Sequence, residues 1–445
     1  MILNVLGITA RAWLGTLALL AGATVQASTP SAIESASDNP VLEWNQVFID
    51  TLIATKTPNS SSQRLGAIVH TAIFDAYNGI ERRYTPIFVH ARAPHGASHR
   101  AAVIAAAHSA LVALFPTREA ELDASYVASL EALDKEWFGS YSRDRAIAWQ
   151  SRQRGIAWGI EVAQAVLAWR ATDGFSVTYS PPFSGGTAVG QWRPVPPAVA
   201  MSAEALAFTE TFVVATNSQF RPSAPRALHS ATYADDFNAV KALGRSTGST
   251  RTEDQTALAP FWEGNASVHW NQAANQIARA NRLSPSTTNR LLAVLNLAMA
   301  DTAFTIWSAK RFYGEVQTEV TWRPVTAIQM ADLDGNPATV PDVEWLPLVN
   351  TPSHPEYPAG HPSLNGAAAS ILLSHFSDRQ TFTLTTGATN RTYTSIRQAR
   401  ADGNNARVWG GMHYPSTVAI SDAVGTKIAR YVNRNSMQPL HWGRD

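Results

Sequence analysis

The sequence has no cysteine, which excludes disulfides, thiolate metal centres, iron–sulfur clusters and a cysteine nucleophile. Charge is scarce too. Charged residues make up 16% of the 445 positions against 45% hydrophobic, a globular balance without the charge excess of disordered chains. Nor does one sign dominate: 35 basic and 34 acidic side chains leave a net charge of +1, so no global field points to nucleic acid or an anionic membrane surface. Any anion chemistry must come from local clustering. Strand signals are sparse, and neither an internal repeat nor a low-complexity run stands out.

Long apolar runs are missing except near the start. Arg11 precedes the run Trp13 to Ala21, and Val25-Gln26-Ala27 supplies small residues of the kind signal peptidase recognises. Residues 1–27 therefore read as a signal peptide and the protein as secreted or periplasmic, with no membrane span after cleavage. The apolar run falls short of the roughly 20 residues that cross a bilayer, which weighs against an uncleaved anchor. Residues 28–40 form a Ser/Thr/Pro/Ala-rich linker.

Helical spacing dominates the rest of the chain. Leu42 to Ile49 and Gln63 to Ile80 carry apolar residues at helical intervals, and further helices are expected at 98–114, 117–136 and 143–172. Residues 173–200 are dense in breakers such as Asp173-Gly174, Pro181-Pro182 and Gly185-Gly186. Helical patterning resumes at 203–215, 227–245, 252–262, 267–283 and 286–311. After a Pro/Gly-rich stretch at 332–360 it returns at 361–377, 392–409 and 416–436, with a short hairpin near 379–391. The expectation is an all-α protein of helical bundles with long Pro/Gly-rich loops, divided into an N-terminal helical region (41–200) and a C-terminal helical domain (201–445).

Three segments concentrate basic residues beside glycine and proline: Lys310 with Trp322-Arg323-Pro324, then Pro358-Ala359-Gly360-His361, then Arg407 with Gly410-Gly411-Met412-His413. Two guanidiniums and an ammonium suit a tetrahedral oxyanion, because its charge is spread over several oxygens that guanidinium forks bind in pairs. Gly360 at a helix start lets a backbone N–H approach the anion. Arg407 and His413 would sit on different faces of an unbroken helix, so Gly410-Gly411 should end the helix and swing His413 back. One imidazole there can act as nucleophile or metal-oxyanion ligand while another serves as general acid–base.

These segments resemble the three signature motifs of the phosphatidic acid phosphatase type 2/vanadium-dependent haloperoxidase superfamily. Phe261-Trp262, Leu295 to Asp301, Ile306 to Lys310 and Trp322 to Ile328 resemble its bacterial secreted haloperoxidase-like members, as does Ile73 to Asn78 more loosely. The resemblance implies the helical-bundle fold of that superfamily and vanadate as cofactor, with phosphate able to occupy the same site. It implies that Lys310, Arg323, Gly360 and Arg407 hold the oxyanion oxygens, that His413 bonds the vanadium or phosphorus, and that His361 is the acid–base group. Trp307 and His354 fall where haloperoxidases line a halide pocket, and His354 favours bromide or iodide over chloride.

The sequence departs from that pattern in three places. Lys310 and Arg323 are thirteen residues apart, with 314–321 read as an insertion; Ala359 replaces a serine; and Thr417 stands where an aspartate usually orients the ligand histidine. Ser416, Thr417 or Asp422 are the candidates to replace it, and a neutral partner would leave His413 less basic. Three functions stay open: a haloperoxidase using hydrogen peroxide and halide, a phosphatase cleaving phosphate esters through a phosphohistidine, or a non-catalytic oxyanion-binding protein. Bundles of that superfamily often pair, so the resemblance also implies a homodimer.

Overall fold

The computed structural model describes residues 39–137, 142–316 and 320–440. The expected signal peptide, the linker up to residue 38 and the centre of the expected insertion lie outside the described residues. The described residues form one compact unit, built from thirteen α-helices and one two-stranded hairpin.

The first five helices are α1 (Pro40–Ala54), α2 (Asn59–Glu81), α3 (His99–Leu114), α4 (Glu119–Trp137) and α5 (Ser142–Arg170). The other eight are α6 (Ala231–Leu243), α7 (Glu253–Phe261), α8 (Ala266–Ala280), α9 (Pro285–Glu315), α10 (Pro324–Gln329), α11 (Gly360–His375), α12 (Ile396–Trp409) and α13 (Pro415–Asn435). Side-chain caps mark many starts. Ser98, Ser230, Asn265, Ser284 and Ser395 each accept a first-turn N–H, and Thr252 with Gln255 closes a capping box on α7.

Two bundles share a seam. α2, α3 and α5 pack together, α9, α11 and α13 pack together, and α2 lies against α9. α9 is long and apolar enough to cross a membrane, yet 94% of its apolar window is buried inside the protein; it is the core helix on which the second bundle is built. α11 and α13 approach so closely that a Cβ on Gly425 would sit 1.8 Å from the Ser363 carbonyl oxygen, so this contact requires glycine.

The sequence shows no repeat, but α2 and α9 each carry a buried aspartate doing the same work. Asp75 accepts the N–H groups of Ile87, Phe88 and Val89, and Asp301 those of Phe212, Val213 and Val214. Burial pushes both carboxyls up to about 6, against the pull of those donors.

The second of these staples explains a failed expectation. No helix spans 203–215: after a single 3-10 turn, Glu204–Ala207, the N–H groups that a helix would use internally are directed to the Asp301 carboxylate instead. Likewise the expected helix at 392–409 begins at Ile396, because residues 389–393 form the second strand of the hairpin. That hairpin, β1 (Phe382–Thr386) with β2 (Thr389–Tyr393), lies where alternation of Thr and Phe suggested it.

Candidate active site

The end of α12 sets the site. Arg407 lies in its last turn, and Gly411, at φ +78°, reverses the chain so that the N–H groups of Met412 and His413 both return to the Arg407 carbonyl. A Cβ on Gly411 would also sit 2.6 Å from the Gly244 oxygen, so only glycine makes this turn without strain. His413 thereby comes back toward Arg407, as the glycine pair suggested.

Lys310, near the end of α9, and Arg323, just before α10, meet despite the thirteen-residue separation. The returning chain is pinned where Thr321 and Trp322 both donate their N–H to the Gly190 carbonyl, at 2.8 and 2.9 Å. Lys310 Nζ donates to the carbonyls of Pro355 (2.6 Å) and Glu356 (3.3 Å). Arg323 donates from Nε to the His354 carbonyl (2.9 Å), from Nη1 to the Met412 carbonyl (2.9 Å), and from Nη2 to His354 Nδ1 (2.8 Å).

Beside these residues lies a cavity of about 230 Å³. Six of the sequence-predicted residues line it: Trp307, His354, Gly360, His361, Arg407 and His413. Lys310 and Arg323 are fully buried and stand behind that lining. The remaining wall comes from residues with no motif to announce them, chiefly Asn59 and Ser60 at the start of α2, Ser202 and Glu263. Ala359 has no hydroxyl to offer, but Ser60 and Ser202 bring two from other segments.

The histidine partner overturns a sequence expectation. Ser416 bonds Asp236, and Asp422 is held by Arg400 and Asn404, so neither reaches His413. A carboxylate nevertheless does: His413 Nδ1 donates to Glu356 Oε1 at 2.9 Å, and Thr417 Oγ1 donates to Glu356 Oε2 at 3.1 Å. Glu356 is fully buried, and the Tyr414 N–H adds a third donor at 3.1 Å. The available signal was a lone acidic residue inside the His354-Pro355-Glu356-Tyr357-Pro358 run of a charge-poor chain.

Hydrogen-bond partners assign the tautomers. With Nδ1 donating to Glu356, His413 Nε2 carries a lone pair, and Arg323 Nη1 donates to it at 3.2 Å. Arginine has only donors, so His354 Nδ1 accepts from Arg323 and its proton resides on Nε2. His361 Nε2 lies 3.2 Å from the Gly264 carbonyl, the nearer of its two neighbours and an acceptor that favours the proton on this nitrogen. Asn59 Nδ2 stands 3.4 Å from the same nitrogen, its own oxygen held by Gln63 and the Ala266 N–H.

Burial governs the charges. It pushes His354, His361 and His413 well below the usual imidazole range, with neighbouring cations adding to the effect, so all three are neutral at neutral pH. It lowers Arg323 to about 9 and Arg407 to about 10, still charged, and holds Lys310 well below the ordinary ammonium range, helped by Arg323. Glu356 rises to about 7 because burial outweighs Arg323 and Lys310. Two buried basic side chains, Lys310 and Arg323, thus act on the buried Glu356 carboxylate, while the carboxylate that acts on Arg407 is that of Glu263.

Arg407 supplies a test of which ligands the site can hold. Its Nε is buried with no partner, its Nη1 has only a 3.4 Å contact to the Trp262 carbonyl, and its Nη2 rests on the thioether of Met412 at 3.1 Å. A guanidinium held by acceptors this weak fits an anionic ligand. Gly360, at the N-terminus of α11, has no side chain to fill the space beside Trp307, where a Cβ would come 3.4 Å from the indole. Two guanidiniums, a lysine, a helix start and an imidazole lone pair are the donor set a tetrahedral metal oxyanion or phosphate requires.

Residues 290–441 match the family model of the VCPO second helical-bundle domain. The fold is that of the vanadium haloperoxidases, in agreement with the superfamily the motifs resemble. Every sequence-predicted site residue, from Trp307 to His413, falls inside the matched segment. Among solved structures, the chain is similar to the first bacterial vanadium-dependent iodoperoxidase, at TM-score 0.71 and 21% identity over 92% of this chain and 99% of that one. It is also similar to a bacterial vanadium-dependent chloroperoxidase in two forms. The apo form gives TM-score 0.64 and 17% identity over 85% of this chain and 95% of that one; the holo form gives 0.62 and 17% over 90% and 94%. No curated protein matches the chain in sequence.

Proposed function

We propose that this chain is a vanadate-dependent haloperoxidase that oxidises bromide or iodide with hydrogen peroxide. One observation carries the reading: His413 Nε2, its lone pair fixed by the Glu356 contact at Nδ1, stands in a cavity with the under-satisfied Arg407. The iodoperoxidase and chloroperoxidase neighbours support the same reading. Bound vanadate would supply the electrophilic centre on which hydrogen peroxide becomes reactive toward halide. His413 would be its protein ligand, and Arg323, Arg407 and Gly360 would bind its oxygens. Lys310 would act from behind, through charge and through its grip on the Pro355 and Glu356 carbonyls.

His361 takes and returns protons at Nδ1, since its Nε2–H is tied to Gly264. His354 presents a fixed Nε2–H donor, and its ring lies 5.1 Å from that of Trp307; between them a halide would meet one N–H and one aromatic wall.

A phosphatase acting through phosphohistidine is the second reading, and Glu356 favours it by removing the objection that His413 lacks a carboxylate partner. Purified protein with orthovanadate, peroxide and bromide, assayed for halogenation, and then with p-nitrophenyl phosphate alone separates the two. Phosphate release without halogenation would reverse the order, and tight vanadate binding with neither activity would indicate a non-catalytic anion binder.

The remaining proposals concern the whole chain: removal of residues 1–27, a secreted or periplasmic location, a boundary near residue 200 and pairing into a homodimer. N-terminal sequencing of the exported protein and light scattering test the first and last.

A further inference from the structure

Methionine is rare in this sequence, at six positions, and one of them is lodged in the anion clamp. Met412 lies between Gly411 and His413 with no exposed surface. Its carbonyl accepts from Arg323 Nη1 at 2.9 Å and its sulfur from Arg407 Nη2 at 3.1 Å. One residue therefore touches both guanidiniums, and the adjacent Arg407 and His413 line the cavity. A thioether is a weak acceptor, which leaves Arg407 ready for an incoming anion. It is also among the side chains most readily oxidised.

We propose that Met412 is a self-modification site, at which hypohalous acid released in the cavity converts the thioether to a sulfoxide and disables the clamp. The proposal rests on the haloperoxidase reading for its source of oxidant. The sulfur attacks the halogen and displaces hydroxide; water then adds to the halosulfonium and halide leaves. The sum is thioether plus hypohalous acid giving sulfoxide, halide and a proton, with sulfur oxidised by two electrons and the halogen reduced by two. The new S–O oxygen is a strong acceptor placed against the Arg407 guanidinium. It satisfies that guanidinium internally, so a bound anion no longer does.

Met330 provides the control, because it is half-buried whereas Met412 is enclosed. An oxidant arriving from bulk solvent meets Met330 first, whereas Met412 stands directly behind the cavity-lining Arg407 and His413 and is reached from the cavity side.

The experiment has two arms. In the first, full-length protein with orthovanadate, peroxide and bromide is sampled during turnover and its peptides are weighed; Met412 is expected to gain one oxygen before Met330 does. In the second, the protein without vanadate is treated with reagent hypobromous acid until Met412 is oxidised, and orthovanadate binding is measured by calorimetry before and after. Affinity is expected to fall about tenfold in the wild type, while in Met412→Leu the before-and-after ratio stays near one. An unoxidised Met412 in protein that is actively halogenating overturns the proposal, as does oxidised Met412 with unchanged affinity. Oxidation and affinity loss in the second arm with no halogenation in the first would support the sulfoxide's effect on the clamp and overturn the haloperoxidase reading, so the two failures are distinct.

Discussion

Glu356 and His413 are 57 residues apart in sequence and 2.9 Å apart in space. The carboxylate fixes the ring through Nδ1 and receives Thr417 and the Tyr414 N–H on its other lone pairs, while the Glu356 backbone carbonyl helps to hold Lys310. One residue thus links His413 to the cationic cluster.

Glu356→Gln should therefore weaken orthovanadate binding by about 10–100-fold, the usual cost of losing the group that orients a ligand histidine. The amide keeps the shape of the side chain but can present its NH₂ to Nδ1, inverting the tautomer. Calorimetry reads the affinity and circular dichroism checks the fold; unaltered binding in a folded variant would refute the role.

Arg407→Ala should cost more anion affinity than Lys310→Ala. Arg407 lines the cavity with an unpartnered Nε, whereas Lys310 is already satisfied by two carbonyls. A charge-assisted hydrogen bond is worth about 1.5–3 kcal/mol, so roughly a 10–100-fold loss is expected for Arg407→Ala. Equal losses would mean that Lys310 contacts the anion directly.

Anion binding should take up protons. Without an anion, burial and Arg323 hold Lys310 well below its ordinary range, and Glu356 sits at about 7. A negative charge in the cavity raises both, so the bound state holds more protons than the free state near neutral pH, and affinity must fall as pH rises. Sulfate keeps a fixed charge over this range and is the suitable probe. Calorimetry in buffers of different ionisation enthalpy measures the uptake; proton release would show the sign to be wrong.

Gly411→Ala should lower stability by about 1–3 kcal/mol, the range for a residue forced into an unfavourable backbone region, since φ is +78° and the Gly244 oxygen occupies the space for a methyl group. The displaced turn should also carry His413 away from Arg407. Urea unfolding and orthovanadate titration together test this, and a stable variant with weakened binding would locate the whole effect in the site.

Much of the site is legible in the sequence because the motif residues are unusual where they stand. Arg323, Arg407 and Lys310 are basic side chains in apolar surroundings, and Gly410-Gly411 is a stop signal next to a histidine. Glu356 carries no such mark, because its pairing with His413 depends on how the Pro-rich 352–358 segment folds over α13, which no local spacing encodes. Residues 203–215 depart from expectation for a related reason: the helical pattern is real, but the Asp301 carboxylate on α9 competes for the same N–H groups and wins. Asn59, Ser60 and Ser202 reach the cavity only through tertiary packing.

That last group has an implication for the ancestry and handling of the site. Every signature residue lies between Trp307 and His413, yet the wall facing His361 begins at Asn59, whose amide also ties down the start of α8 through Ala266. The motif-bearing half is thus not a portable cassette. Grafted or expressed by itself it would keep the full signature but open the cavity to solvent on one side, and its chemistry would have to be rebuilt rather than inherited.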